Sequence, residues 1–165
     1  VDTEQLSQRY RALQQALHPD RFAAAGEREK RLSMQASTHV NEAYQTLRDP
    51  LSRAKYLLSL HTGQSSAAHE TTRDMAFLMK QMELRETLAR AKGETDPYAA
   101  IGNVMDRLDI DSRELTDELS QCLDAPTPES IEQAQELVRK LQFVEKCRVE
   151  AERVESELDD AQNQS

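Results

Sequence analysis

Residues Tyr10–Phe22 read YRALQQALHPDRF, and His18-Pro19-Asp20 within them marks a place where a helix has to stop. Proline fixes its own φ and disfavours helical backbone in the residue before it. Upstream, Leu6, Tyr10, Leu13 and Leu17 recur at spacings of 4, 3 and 4, one apolar stripe of a helix over about residues 2–17. Asp2 or Thr3 is placed to cap its start. Downstream, a second pattern over about 27–48 sets Leu32, Ala36, Val40, Ala43, Tyr44 and Leu47 on one side. The two stretches predict a helical hairpin whose polar tip offers an imidazole and a carboxylate to a partner.

Working outward, Pro50 closes the second helix, and Leu51, Ala54, Leu57, Leu58 and Leu60 predict a short third one over 51–60. His61-Thr62-Gly63-Gln64-Ser65-Ser66 has linker composition, with Gly63 suited to a helix C-cap. Three longer helical patterns follow, roughly 71–92, 97–123 and 128–158, with Pro97, Pro126 and Pro128 at their joins. Short connections between three helices predict an antiparallel bundle. The expected organisation is a hairpin unit over 1–61, a linker over 62–70, a bundle over 71–158 and a tail over 159–165 that frays. With four glycines, five prolines and no tryptophan in 165 residues, the fold class is all-α.

The net charge of −9 divides unevenly, into +2 over residues 1–65 and −11 over the rest. An acidic second half argues against nucleic-acid binding, which needs a basic face. No window approaches the roughly 20 apolar residues of a membrane span. The chain opens on Val1 with no signal-peptide pattern, which fits a trimmed N-terminus. Cys122 and Cys147, isolated within helical patterns, fit a reducing cytoplasm better than a disulfide scaffold.

The pattern at 71–92 has two apolar sides. Phe77, Leu84, Leu88 and Ala91 share one; Met75, Leu78, Met79 and Met82 share roughly the opposite one, flanked by Glu83 and Glu86. A helix docks in a bundle with a single stripe. Either this helix is central and buries both sides, or the methionine side is an adaptable surface for another protein. In the last helix Ile131, Ala134, Leu137, Val138, Leu141 and Val144 form the stripe. Phe143 falls nearly opposite, unless it joins Cys147 and Val154 on a drifting one.

YRALQQALHPDRF (10–22) and NEAYQTLRDPLSRAKYLL (41–58) together resemble the J-domain of DnaJ-type co-chaperones: an amphipathic helix, His-Pro-Asp, then a helix ending Asn-x-Ala-Tyr-x-x-Leu. TTRDMAFLMKQMELRE (71–86) and VRKLQFVEK (138–146) closely resemble the HscB branch, the J-proteins of bacterial iron–sulfur cluster assembly. J-domains of this family begin with one more helix, and this chain starts at about the second. The resemblance implies two partners, a dedicated DnaK-like chaperone, HscA, and the cluster scaffold IscU. Carried over by position, His18, Pro19 and Asp20 trigger the chaperone's ATP hydrolysis, with Arg9, Arg11 and Arg21 on the adjoining basic surface. Leu78, Met79, Met82, Glu83, Glu86 and Phe143 match the scaffold-binding surface.

Catalysis by the chain itself finds little support. His18 and Asp20 sit on one turn with no shielded cleft implied, and no Gly-rich phosphate loop or nucleophile motif is present. His18, His39, His61, His69 and the two cysteines are dispersed, without metal-ligand spacing, so no metal or other cofactor is expected. The expected protein is a cytoplasmic regulator of a partner ATPase. A generalist J-protein accounts for the first half alone, leaving the two-sided methionine helix unexplained.

Overall fold

The computed structural model describes residues 1–18, 26–63 and 72–163. Among them are six α-helices and no strand: α1 (Thr3–Leu17), α2 (Glu27–Arg48), α3 (Pro50–Thr62), α4 (Met75–Ala91), α5 (Pro97–Asp124) and α6 (Pro128–Asn163). The chain divides into two compact units, Val1–Tyr56 and Leu57–Ser165, with the division inside α3. The fold class is all-α, as the composition requires.

Aspartate starts most of these helices. Asp2 Oδ1 accepts from Gln5 N (2.9 Å), Asp74 Oδ1 from Phe77 N (3.0 Å) and Asp96 Oδ1 from Ala99 N (3.0 Å). Asp49 Oδ2 accepts from Ser52 N (2.6 Å) at the head of α3. Each carboxylate meets a backbone N–H that has no partner within the helix and lies at the positive end of the helix dipole. Pro50 and Pro97 follow two of these caps at the first helical position, where a missing N–H costs nothing. At α6 the cap is reciprocal: Ser130 N donates to Thr127 Oγ1 (3.2 Å) and Thr127 N to Ser130 Oγ (2.9 Å). Gly63 closes α3 with φ +67°, a conformation a Cβ would strain, and its N–H reaches Ser59 O at 3.0 Å.

In the first unit α1 and α2 pack as an antiparallel hairpin. Tyr10 and Tyr44 stack with centroids 4.0 Å apart and planes 14° from parallel. Tyr10 Oη donates to Asn41 Oδ1 (2.8 Å), which also accepts from the Gln14 amide. Ser33 Oγ donates to Leu17 O (2.7 Å), satisfying a carbonyl at the C-terminus of α1. No residue of α1 is buried, and Leu13 and Leu32, both on the expected stripes, are about half exposed. Polar and aromatic contacts, more than a dry core, set the register of this hairpin.

The second unit is the expected bundle. α4 contacts α5 and α6, and the latter two pair over most of their lengths. The core stripe of α6 runs unbroken through Ala134, Leu137, Val138, Leu141, Val144, Cys147, Ala151 and Val154, so Cys147 and Val154 belong to it. From α5 come Ile101, Val104, Leu108, Leu115, Leu119 and Cys122, and from α4 Leu88 and Ala91. Two boundaries differ from the sequence pattern. α4 begins at Met75, because Asp74 spends its side chain on the cap, and Thr72 and Arg73 precede it outside the helix. The tail expected to fray from Asp159 is helical through Asn163. Tyr98 Oη donates to Asp159 Oδ1 (2.7 Å) there, and no glycine or proline interrupts the final turns.

Leu108 has no solvent exposure, whereas Ile110, two residues on, is 41% exposed on the outer side of α5. Leu108→Ala is expected to lower unfolding free energy by about 2–5 kcal/mol in urea titrations. Ile110→Ala is expected to cost about 1 kcal/mol or less. Equal losses would place Leu108 outside the core.

Candidate protein-binding surfaces

The first candidate surface is the end of α1. His18 caps the helix with φ −58° and ψ 129°, the extended ψ that a following proline favours, and it is exposed. Arg9 and Arg11 are exposed on α1. Pro19, Asp20 and Arg21 lie outside the described residues.

The second is built on α4, where rotation about the helix axis decides what is displayed. Four contacts with α6 set that rotation. Asp74 Oδ2 meets Lys140 Nζ (2.7 Å), and Phe77 meets Phe143 edge-to-face, with centroids 6.4 Å apart and planes at 79°. Arg85 Nε lies 3.4 Å from Glu150, and Lys92 Nζ 2.5 Å from Glu157. Just before the helix, buried Thr72 donates its hydroxyl to Glu136. Partner numbers advance together, so α4 and α6 run parallel, and α5 returns between them.

On the α5 side, Lys80 Nζ reaches Asp111 Oδ1 at 2.7 Å, and Arg107 Nε reaches the same oxygen at 3.2 Å. Asp111 is only 4% exposed. A carboxylate this deep requires cationic partners.

With that rotation, Phe77, Gln81, Leu88 and Ala91 turn inward or to the seams. Met75 is 68% exposed, Met79 61% and Met82 62%. Leu78 and Phe143 are half-buried, and Glu83 and Glu86 are exposed. At 100° per residue Leu78 lies nearest the α6 seam that holds Phe143, Met82 next and Met79 farthest round. Leu78, Met82 and Phe143 thus share one edge, while Met79, Glu83 and Glu86 occupy the outer side of α4. Glu86 is paired with Arg90 (3.0 Å), and Lys146 Nζ stands 5.9 Å from the centre of the Phe143 ring.

Sequence reasoning passed over the polar members of this frame. Asp111 falls within the α5 stripe Ile101-Val104-Leu108-Asp111-Leu115, and Gln81 within the inward stripe of α4. A polar residue at a stripe position was the available signal. Arg107, four positions earlier on the same helix, was a legible partner for Asp111, whereas Lys80 was not, because it lies 31 positions away. Among the described residues no three His, Cys, Asp or Glu side chains converge as metal ligands. Nor is any described helix long and apolar enough to cross a membrane.

Hairpin and bundle define an all-α protein of two units. A family profile described as "HSCB C-terminal oligomerisation domain" matches residues 73–152. The "Co-chaperone protein HscB homolog" of Aeromonas hydrophila is 45% identical over 158 residues, covering 96% of this chain and 90% of the relative. That of Shewanella halifaxensis is 43% identical over 160 residues, covering 97% and 92%. The chaperone HscB structure from Vibrio cholerae superposes with a TM-score of 0.81 at 40% identity, over 96% of this chain and 91% of that one. The human co-chaperone HscB structure gives 0.79 at 34% identity, over 92% and 74%. The chain belongs to the HscB family of co-chaperones.

The ties holding α4 carry a pH signature. The hydrogen bond from Lys140, then the Phe77 N–H, hold the Asp74 carboxyl below its ordinary value of 3.8. Lys92 does the same for Glu157. A depressed folded-state pKa stabilises fully above the unfolded value, and that contribution is lost as pH falls through the folded one. Asp74→Asn keeps a good N-cap but removes the charge. The variant is therefore expected to be less stable than the parent at neutral pH, with the gap closing below about pH 4. A gap independent of pH in denaturation series would contradict the ion pair.

Proposed function

We propose that this chain is a co-chaperone of iron–sulfur protein maturation that binds an IscU-type cluster scaffold through α4 and α6. In this reading it delivers the scaffold to an HscA-type DnaK-like chaperone and stimulates that chaperone's ATP hydrolysis. It acts in the cytoplasm as a regulator and catalyses no reaction itself. The observation that carries the reading is an apolar strip, Leu78, Met79, Met82 and Phe143, left at the surface of a bundle whose helix already buries another face. Membership of the HscB family supports reading that strip as a client-binding surface.

Apolar side chains supply most of the affinity in this scheme, and Glu83 and Glu86 at the rim favour a basic partner surface. Methionine suits the task because its unbranched thioether adapts to irregular surfaces. The hairpin has a separate role. His18, with Pro19 and Asp20, contacts the chaperone and biases it towards hydrolysis, while Arg9, Arg11 and Arg21 complement an acidic surface on it. Because one chain carries both sites, a bound scaffold is presented at raised effective concentration to the chaperone.

Calorimetric titration of an IscU-type scaffold is expected to show saturable micromolar binding. Each fully buried apolar side chain contributes roughly 1.5–3 kcal/mol, and a micromolar complex holds about 8 kcal/mol. A Leu78/Met82/Phe143 triple alanine variant, folded by circular dichroism, is therefore expected to lose measurable binding. Undiminished binding would remove the assignment.

His18→Gln separates the two surfaces. The substitution is expected to leave scaffold affinity unchanged and to abolish stimulation of the chaperone's ATP turnover, measured on a version carrying the additional first helix with which J-domains of this family begin. Stimulation at the parental level would exclude His18 from the trigger.

A further inference from the structure

The chain keeps its sulfur atoms in two different environments. Cys122 and Cys147 are 8% and 0% exposed, and burial pushes the Cys147 thiol above its ordinary pKa, away from the reactive thiolate. Met75, Met79 and Met82 instead expose more than three-fifths of their surface on one side of α4. Of the five methionines, Met79 and Met82 belong to the strip assigned above to the scaffold, and Met75 lies one turn before Met79 on the same side of α4; Met34 is exposed on α2 and Met105 is half-buried on α5. The most accessible sulfur of the bundle thus lies where a client would make its apolar contact.

We propose that Met75, Met79 and Met82 form an oxidation-sensitive site, at which a hydroperoxide converts the scaffold-binding face into a polar one and releases the client. The inference rests on the proposed scaffold role of α4. In the reaction a thioether lone pair attacks the outer peroxide oxygen, forming an S–O bond as the O–O bond breaks. Sulfur is oxidised by two electrons to the sulfoxide, and the peroxide is reduced to water or an alcohol, the leaving oxygen keeping its own hydrogen or alkyl group and taking up the proton of the attacked hydroxyl. A sulfoxide oxygen is a strong hydrogen-bond acceptor. Buried in an apolar interface without a donor, it opposes association. The core is spared, since the buried thiols are shielded and α4 is held by Phe77, Leu88 and the ion pairs to α5 and α6. Methionine sulfoxide reductase, with a dithiol as reductant, restores the thioether as the oxygen leaves in water and the dithiol becomes a disulfide, so the site can be reset.

The test compares scaffold affinity before and after mild hydrogen peroxide treatment, with peptide mass spectrometry locating the added oxygens. Oxidation is expected at Met75, Met79 and Met82 ahead of Met105, with binding weakened about tenfold or more, circular dichroism unchanged and affinity recovered on enzymatic reduction. In a variant with Met75, Met79 and Met82 all changed to Leu, the ratio of treated to untreated affinity is expected to stay near one, whatever its starting value. Met34→Leu is expected to bind as the parent does and to remain peroxide-sensitive. Sulfoxides at the three sites with unchanged affinity would overturn the inference, as would equal sensitivity in the triple leucine variant. An untreated chain that fails to bind would instead remove the scaffold reading itself, and this inference with it.

Discussion

The seam between α4 and α6 is the constraint on which the bundle's surface depends. α4 has two apolar sides, and hydrophobicity alone does not select which one is buried. Directional contacts make the choice: Asp74 with Lys140, Phe77 against Phe143, Arg85 with Glu150 and Lys92 with Glu157. Lys80 with Asp111 adds a tie on the α5 side. Each exposed pair is individually weak. Distributed along a 17-residue helix, they specify one rotation because another would separate every pair at once.

The two units solve the problem of helix pairing differently. In the bundle, α5 and α6 present long stripes whose burial supplies the driving force, and polar groups select orientation. In the hairpin, a tyrosine stack and hydrogen bonds through Asn41, Gln14 and Ser33 carry a larger share, and no residue of α1 is fully withdrawn from water. Contacts of this kind are specific in geometry but modest in net free energy. The bundle is accordingly the unit better built to keep a displayed face in a fixed shape.

Sulfur chemistry separates along the same division between core and surface. Cysteine and methionine are both soft and polarizable, yet burial makes the thiols inert packing while exposure makes the thioethers adaptable contacts. An apolar strip maintained at a surface carries a solubility cost unless a partner covers it. Glu83 and Glu86 are exposed beside it, within an acidic second half of the chain.

Much of this protein was legible before any coordinates. Stripes at 3.6-residue spacing and three well-placed prolines determined six helices and an all-α class, because these signals are local and each acts within a turn or two. Similarly local was the two-sidedness of α4, which follows from the order of its residues alone. The direction in which the methionines would face was left open, since a periodicity cannot say which of two apolar sides meets a neighbour. That choice came from partners up to 66 positions apart, Asp74 with Lys140 among them. The half-burial of Phe143 beside Phe77, the pairing of Asp111 and the continuation of α6 past Asp159 arise the same way. Local propensity determined which segments are helical; only the packing of those helices, where charge and shape must match across chain-distant positions, decided which side chains became surface.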